Sequence, residues 1–260
     1  MKEQFILNWV GNKYEELKKN LKKFIVDKQN FNQYDTFIEP FGGSFGFIRY
    51  VYEVLGIKDK KYVVYDSDKE LIDLYNHLKK IDIQKFMDRY NEIMNQIENT
   101  KGLTFISKSG SKNVVGTKIY DYIDENVSDK FMKYTLKNNI CRGQFCTLRY
   151  KTNMIFADLI KKTTFIHKPF LKVNFNKYNK DKTFIFFDPP YLGEYNDFYK
   201  DKEVLSLLDK IHKLMTTFSG SFIHVKHKKI DDMFYKFSVD SYTKLYPLFQ
   251  RKITHNVFSS

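Results

Sequence analysis

Cysteine is nearly absent from this chain: Cys141 and Cys146 are the only two in 260 residues. Two thiols are too few for a disulfide framework or an all-cysteine zinc site, and they read as free thiols of a reducing cytoplasm. No stretch of about 18 uncharged apolar residues occurs, which excludes a transmembrane helix. The start, Met1-Lys2-Glu3-Gln4-Phe5, lacks the apolar region of a secretion signal. There is a single tryptophan, no internal repeat and no G-x-G-x-x-G dinucleotide fingerprint. The expectation is a protein neither secreted nor held at a membrane, working in the cytoplasm or wherever its substrate resides. Acidic residues are in deficit, 31 Asp and Glu against 44 Lys and Arg, for a net charge of +13. That balance favours a polyanionic partner. A composition rich in Lys, Asn, Ile, Tyr and Phe, as an AT-rich genome produces, accounts for part of the excess.

Hydrophobic residues make up 42% of the chain, enough for one large α/β domain or a core with a small insert. The stretch that organises the rest is Phe184-Ile185-Phe186-Phe187-Asp188-Pro189-Pro190-Tyr191. Its apolar run reads as a strand buried on both faces. Pro189 and Pro190 cannot donate to a ladder, so the strand must stop there. Asp188 and Tyr191 therefore sit just past the carboxyl end of a central strand, where open α/β sheets bind ligands. A carboxylate beside rigid backbone carbonyls can accept both hydrogens of an aromatic amine. The face of Tyr191 can stack on the ring that carries that amine.

Other stretches supply further parts. In Asn8-Trp9-Val10-Gly11-Asn12-Lys13, Gly11 permits close backbone approach, Lys13 can reach a carboxylate or phosphate, and Trp9 can cover a ligand. The following helix places Leu17, Leu21, Phe24 and Ile25 on one face and reads as packed on a sheet. Thr36 to Gly46 (TFIEPFGGSFG) reads as strand, glycine turn and helix start, the recurrent cradle of nucleotide-binding folds. Lys61 to Asp68 reads as a second strand ending in acids, and a carboxylate at such a tip can bind both ribose hydroxyls. Helical patterns run through Leu71–Leu78, Phe86–Ile97 and Asp129–Lys137, with Lys101–Thr117 a polar surface segment between them. Asn138 to Lys151 contains the residue types that pair bidentately with base edges, and Gly143 permits a turn between two short strands. Thr163–Phe170 reads as strand and loop, Gly193–Tyr199 as an aromatic loop, Glu203–Thr217 as a helix and Ser221–Val225 as a strand. His224 and His227 read as exposed histidines on a basic surface, since a metal pair lacks a third ligand nearby. Tyr242–Phe258 alternates as an antiparallel hairpin at a sheet edge.

Asp188-Pro189-Pro190-Tyr191 resembles the catalytic motif of amino-methyltransferases acting on adenine in DNA, and the order of motifs resembles the Dam-type (D12 class) DNA adenine methyltransferases. The resemblance implies an α/β fold with a Rossmann-like class I methyltransferase sheet and a helical and β-hairpin target-recognition insert. Residues 1–80 and 159–260 would form the catalytic domain and 81–158 the insert. It implies transfer of a methyl group from S-adenosylmethionine, leaving S-adenosylhomocysteine, to the exocyclic amine of a flipped adenine in duplex DNA, without a metal. Asp188, Pro189, Pro190 and Tyr191 would be catalytic. Trp9, Gly11 and Lys13 resemble the family's W-x-G-x-K signature, and Glu39, Pro40, Phe41, Gly42, Gly43 and Ser44 its (D/E)-P-F-x-G-x-G loop. Glu39 would lie near the cofactor's amino group, Asp66 would take the ribose, and Phe170 would lie beside the adenine. Asp188 would also line the cofactor site. Phe45 stands where the pattern has its second glycine, and a side chain there is expected to crowd the cofactor or shift the loop. Asn139, Arg142, Gln144, Arg149 and Lys151 would contact DNA, although the family's N-V-P-Y-G continuation is missing and its GATC site is not implied. Partners would be double-stranded DNA and, as in restriction–modification pairs, an endonuclease. Two alternatives stay open: an RNA adenine methyltransferase, and a non-catalytic nucleic-acid-binding module.

Overall fold

The computed structural model describes residues 13–100, 103, 112–141, 154–192, 200–246 and 251–260. They fall into two compact units: one holds Glu70–Lys161, the other Lys13–Lys69 with Lys162–Ser260.

The second unit is built on a seven-stranded sheet of order β3-β2-β1-β4-β5-β7-β6. Its strands are β1 (Thr36–Glu39), β2 (Lys61–Asp66), β3 (Thr163–His167), β4 (Thr183–Phe187), β5 (Ser219–Val225), β6 (Ser238–Tyr246) and β7 (Arg251–Ser259). β3, β2, β1, β4 and β5 are parallel, while β7 runs antiparallel between β5 and β6. This is the expected Rossmann-like methyltransferase sheet. The predicted terminal hairpin is there too, with β7 tucked inward and β6 at the edge.

Period-two alternation sorts the side chains of the central strands onto two faces. Ile38, Val63, Tyr65, Ile185 and Phe187 share one buried cluster with Val204, Leu207, Leu208, Ile211 and Met215 of helix α8 (Asp201–Met215). On the other face Phe47, from helix α2 (Gly46–Glu53), stacks on Phe186 at 4.6 Å and on Phe184 at 5.3 Å. Every residue of β4 is buried, as a strand covered on both sides requires. Helix α1 (Lys13–Lys19) is fixed to α2 by a buried cluster. Tyr14 Oη and Arg49 Nε each donate to Glu53 at 2.7 Å, and the guanidinium lies 4.3 Å from the Tyr14 ring.

The first unit contains α3 (Lys69–Leu78, whose first residue belongs to the sheet unit), α4 (Ile83–Asn99), α5 (Lys112–Asn126), α6 (Lys130–Cys141) and α7 (Met154–Lys162, whose last residue belongs to the sheet unit). Two expectations change here. α5 begins at Lys112, inside the segment expected to be a polar loop. α6 continues to Cys141 through Asn138-Asn139-Ile140, expected to open a hairpin. Met132, Thr135, Leu136 and Asn139 are buried at i, i+3, i+4 and i+7, so packing of one helical stripe overrides the turn preference of the two asparagines.

Candidate active site

β1 and β4 are parallel neighbours, so both end at the same edge of the sheet. β1 delivers Glu39 and Pro40 there, and β4 delivers Asp188-Pro189-Pro190-Tyr191. The Asp188 carboxylate is held on both oxygens. Lys13 Nζ lies 2.8 Å from Oδ2, and Tyr191 Oη donates to Oδ1 at 3.2 Å. Lys13 therefore reaches a carboxylate, and that carboxylate is Asp188. Burial works against the Lys13 charge, but Asp188, Tyr191 and Glu16 outweigh it and hold the ammonium well above its ordinary pKa. Burial raises the Asp188 carboxyl, against the pull of Lys13. The arrangement is a compensated ion pair in a largely dry site.

The glycine loop is tied to β2. Gly42 N–H donates to Tyr65 O at 2.8 Å, and a Cβ on Gly42 would stand 2.3 Å from Val64 Cγ1 and 3.0 Å from Tyr65 O. Gly43 has φ +45°, and its N–H donates to Asp66 Oδ2 at 2.8 Å. Asp66 Oδ1 accepts from Asp68 N–H at 2.8 Å. Burial pushes the Asp66 carboxyl up while these amide donors hold it down. Glu39 is buried beneath the start of α2, where it accepts from Phe47 N–H at 3.2 Å and Ile48 N–H at 2.8 Å. Burial raises its carboxyl to about 8 against those two donors. Pro40 and Ser44 are buried beside it, and Phe41 is half-buried.

Phe45 does not intrude on this loop. Its backbone takes the left-handed conformation usual for glycine (φ 41°, ψ 48°). Its ring is fully buried, edge-on to Phe165 at 5.4 Å. Phe41 packs instead against the α8-side cluster. The expected crowding is thus replaced by a strained backbone and a core anchor. Phe170 also departs from expectation. Its ring is 2% exposed within the same cluster, 4.7 Å from Phe41, and offers no open face to an adenine. Lys210 fastens its turn by donating to the carbonyls of Phe170, Leu171 and Val173.

Several residues around Asp188 and Tyr191 escaped the sequence reading. Glu16 is buried one helical turn from Lys13 and accepts from Tyr242 Oη at 2.8 Å and from Lys244 Nζ. Tyr242 stacks on His255 at 5.1 Å, and His255 lies 5.9 Å from the Tyr191 ring. His224, expected to be exposed, is fully buried 5.0 Å from the Tyr191 ring, while His227 is exposed. Burial lowers both His224 and His255 to about 4, so both imidazoles are neutral. The i,i+3 spacing of Lys13 and Glu16 and the i,i+2 spacing of Tyr242 and Lys244 are visible in sequence; their meeting is not.

Trp9, Gly11, Arg142, Gln144, Arg149, Lys151 and the aromatic loop at 193–199 lie outside the described residues. Asn139 is described, and at 1% exposure inside the helical unit it presents no surface for DNA.

The sheet order, the carboxylate–Pro-Pro-Tyr tip and the glycine loop define a methyltransferase-type site. The family model for D12 class N6 adenine-specific DNA methyltransferases matches residues 9–248, and the chain belongs to that family. Its reaction class is methylation of adenine in DNA. It is similar to the Type II methyltransferase M.CviBI of Paramecium bursaria Chlorella virus NC1A, with 26% identity over 197 residues, 74% of this chain and 71% of that protein. The crystal structure of SMU.472 complexed with SAH overlaps 58% of this chain and 37% of its own, at 15% identity and a TM-score of 0.30. An overlap that small carries no argument.

Proposed function

We propose that this chain transfers a methyl group from S-adenosylmethionine to the exocyclic amine of an adenine extruded from duplex DNA, with Asp188 as the amine's acceptor. The observation that carries the reading is the Asp188–Tyr191 tip at the end of β4, beside the carboxylate-flanked Gly42–Gly43 loop of β1.

The loop residues suit such a cofactor. Glu39 and Asp66 retain spare lone pairs for an ammonium and for ribose hydroxyls, and Phe41 offers a half-buried ring. Lys13, Pro40, Gly43 and Ser44 remain proposed cofactor residues, as do Trp9 and Gly11 by their motif. Bound there, S-adenosylmethionine supplies an electrophilic methyl group on a sulfonium. The chain's own residues do the rest. Asp188 and the Pro189 carbonyl accept the two amine hydrogens, which turns the nitrogen lone pair out of conjugation and towards the methyl group. Tyr191 stacks on the base. As the nitrogen gains the methyl group it loses one proton, which leaves towards the Asp188 side. Positioning supplies much of the rate.

Extruding the base costs a few kcal/mol, offset by phosphate contacts from a chain of net charge +13. Arg142, Gln144, Arg149 and Lys151 remain the proposed DNA contacts, and Asn139 is withdrawn. The type II label of the viral relative is the ground for proposing a restriction endonuclease of matching site as companion. The non-catalytic alternative rested on Phe45, whose burial away from the loop removes its motive.

The test is transfer of labelled methyl from S-adenosylmethionine to unmethylated, in-vitro-amplified genomic DNA, with matched RNA alongside. Label in DNA adenine, lost in Asp188→Ala with DNA binding retained, is expected. Label that persists in Asp188→Ala would overturn the assignment, and label in RNA alone would move the substrate class.

A further inference from the structure

β4 ends at two prolines, and neither carries an N–H. Past them the chain has left the ladder, yet it must hold Tyr191 still. β5 supplies what the ladder cannot. β5 pairs with β4 up to Phe187↔Phe222, and His224 lies two residues further on. Its side chain points to the same face as Phe222. There His224 Nε2 accepts the Leu192 N–H at 2.9 Å. An amide N–H can only donate, so Nε2 is unprotonated and the ring proton sits on Nδ1. Nδ1 duly lies 2.7 Å from the carbonyl of Val225, to which it donates. A fully buried ring thus has both nitrogens satisfied and its tautomer fixed.

The ring does more than fill space. Its centroid lies 5.0 Å from that of Tyr191 at an interplanar angle of 55°. Tyr191 in turn donates to Asp188 Oδ1. Other groups around Tyr191 are His255, 5.9 Å away, and the Lys13 ammonium, 5.7 Å from its ring centre. Only His224, among the described residues, both abuts that ring and binds the backbone of the next residue.

We propose that His224 is a positioning residue for methyl transfer: its neutral imidazole continues the sheet's hydrogen bonding across the Pro189–Pro190 break and so sets the aim of Tyr191 and Asp188. This rests on the reading of Asp188 and Tyr191 given above. The geometry distinguishes it from a core histidine that merely satisfies itself, because its acceptor atom is spent on the catalytic loop.

The experiment compares His224→Ala and His224→Gln in labelled methyl transfer from S-adenosylmethionine to in-vitro-amplified genomic DNA. Binding of S-adenosylhomocysteine and of DNA, and thermal melting, are measured in parallel. Losing the acceptor for a buried amide should lower kcat roughly 10- to 100-fold in His224→Ala, with both affinities within about two-fold of wild type. A Gln carbonyl can accept the same N–H, so His224→Gln should keep at least about a third of kcat. In a Tyr191→Ala background, His224→Ala should cost less than about two-fold more, since it acts through that residue. Unchanged kcat in folded His224→Ala, additive losses in the double variant, or a Gln variant no better than Ala would each overturn the proposal. Should His224→Ala not fold, a roughly ten-fold or greater loss of kcat in a normally melting His224→Gln would overturn it. A wild-type protein that labels no adenine in DNA would instead sink the underlying reading of the active site.

Discussion

Replacing Phe45 by glycine separates two accounts of the glycine loop. If the ring crowds the cofactor, restoring the glycine of the family pattern relieves the crowding and tightens binding. The structure predicts otherwise. The ring is fully buried against Phe165, and truncating a buried Phe costs about 3–5 kcal/mol. Against this, glycine relieves the left-handed backbone at φ 41°, worth about 1–2 kcal/mol. The net loss is therefore roughly 1–4 kcal/mol, which for a chain of this size lowers the melting temperature by roughly 2–16 °C. Cofactor affinity should stay within about two-fold, because the deleted atoms lie in the core. Urea unfolding gives the first quantity, and calorimetry with S-adenosylhomocysteine gives the second. A variant that melts normally yet binds S-adenosylhomocysteine ten-fold tighter, a gain of about 1.4 kcal/mol, would refute the placement of the ring.

Two further perturbations follow from the same geometry. Gly42→Ala drives a Cβ into Val64 Cγ1 and the Tyr65 carbonyl, so it should cost about 1–3 kcal/mol and weaken S-adenosylhomocysteine binding by shifting the Gly43–Asp66 contact; unchanged melting and affinity would contradict it. His224 falls from an ordinary 6.5 to about 4. As pH drops below 6.5 the unfolded chain takes up a proton that the folded chain refuses, so stability present at neutral pH is lost down to about 4. Relative to wild type, His224→Gln should therefore gain about 2 kcal/mol between pH 7 and pH 5, and a pH-independent difference in urea unfolding would rule this out.

Much of the sheet was legible because its signals are local. The run Phe184–Phe187 carries no polar residue, which marks a strand covered on both faces, and the prolines after Asp188 mark its end. Glu39 and Asp66 could be placed at strand tips for the same reason. Other features depend on what packs against them. Asn138-Asn139 favours a turn in isolation, but the stripe from Met132 to Asn139 keeps the chain helical. His224 looked like a surface residue beside His227, because nothing in Ser221–Val225 announces that β7 will cover β5 on its outer side. The Glu16–Tyr242 contact joins residues 226 positions apart, and only the folded sheet brings them together.

The pairing of Lys13 with Asp188 has a consequence for selectivity. If Asp188 receives the base as proposed, a base that replaced the ammonium would itself have to present donors to that carboxylate. An exocyclic amine does so. A thymine O4 or guanine O6 turned to the same spot would set lone pairs against a negative oxygen, a repulsive contact that an exocyclic amine avoids. On the proposed reading of Asp188, the Lys13 ammonium would stand where a substrate amine presents its hydrogens, and the free site would already carry the substrate's polarity.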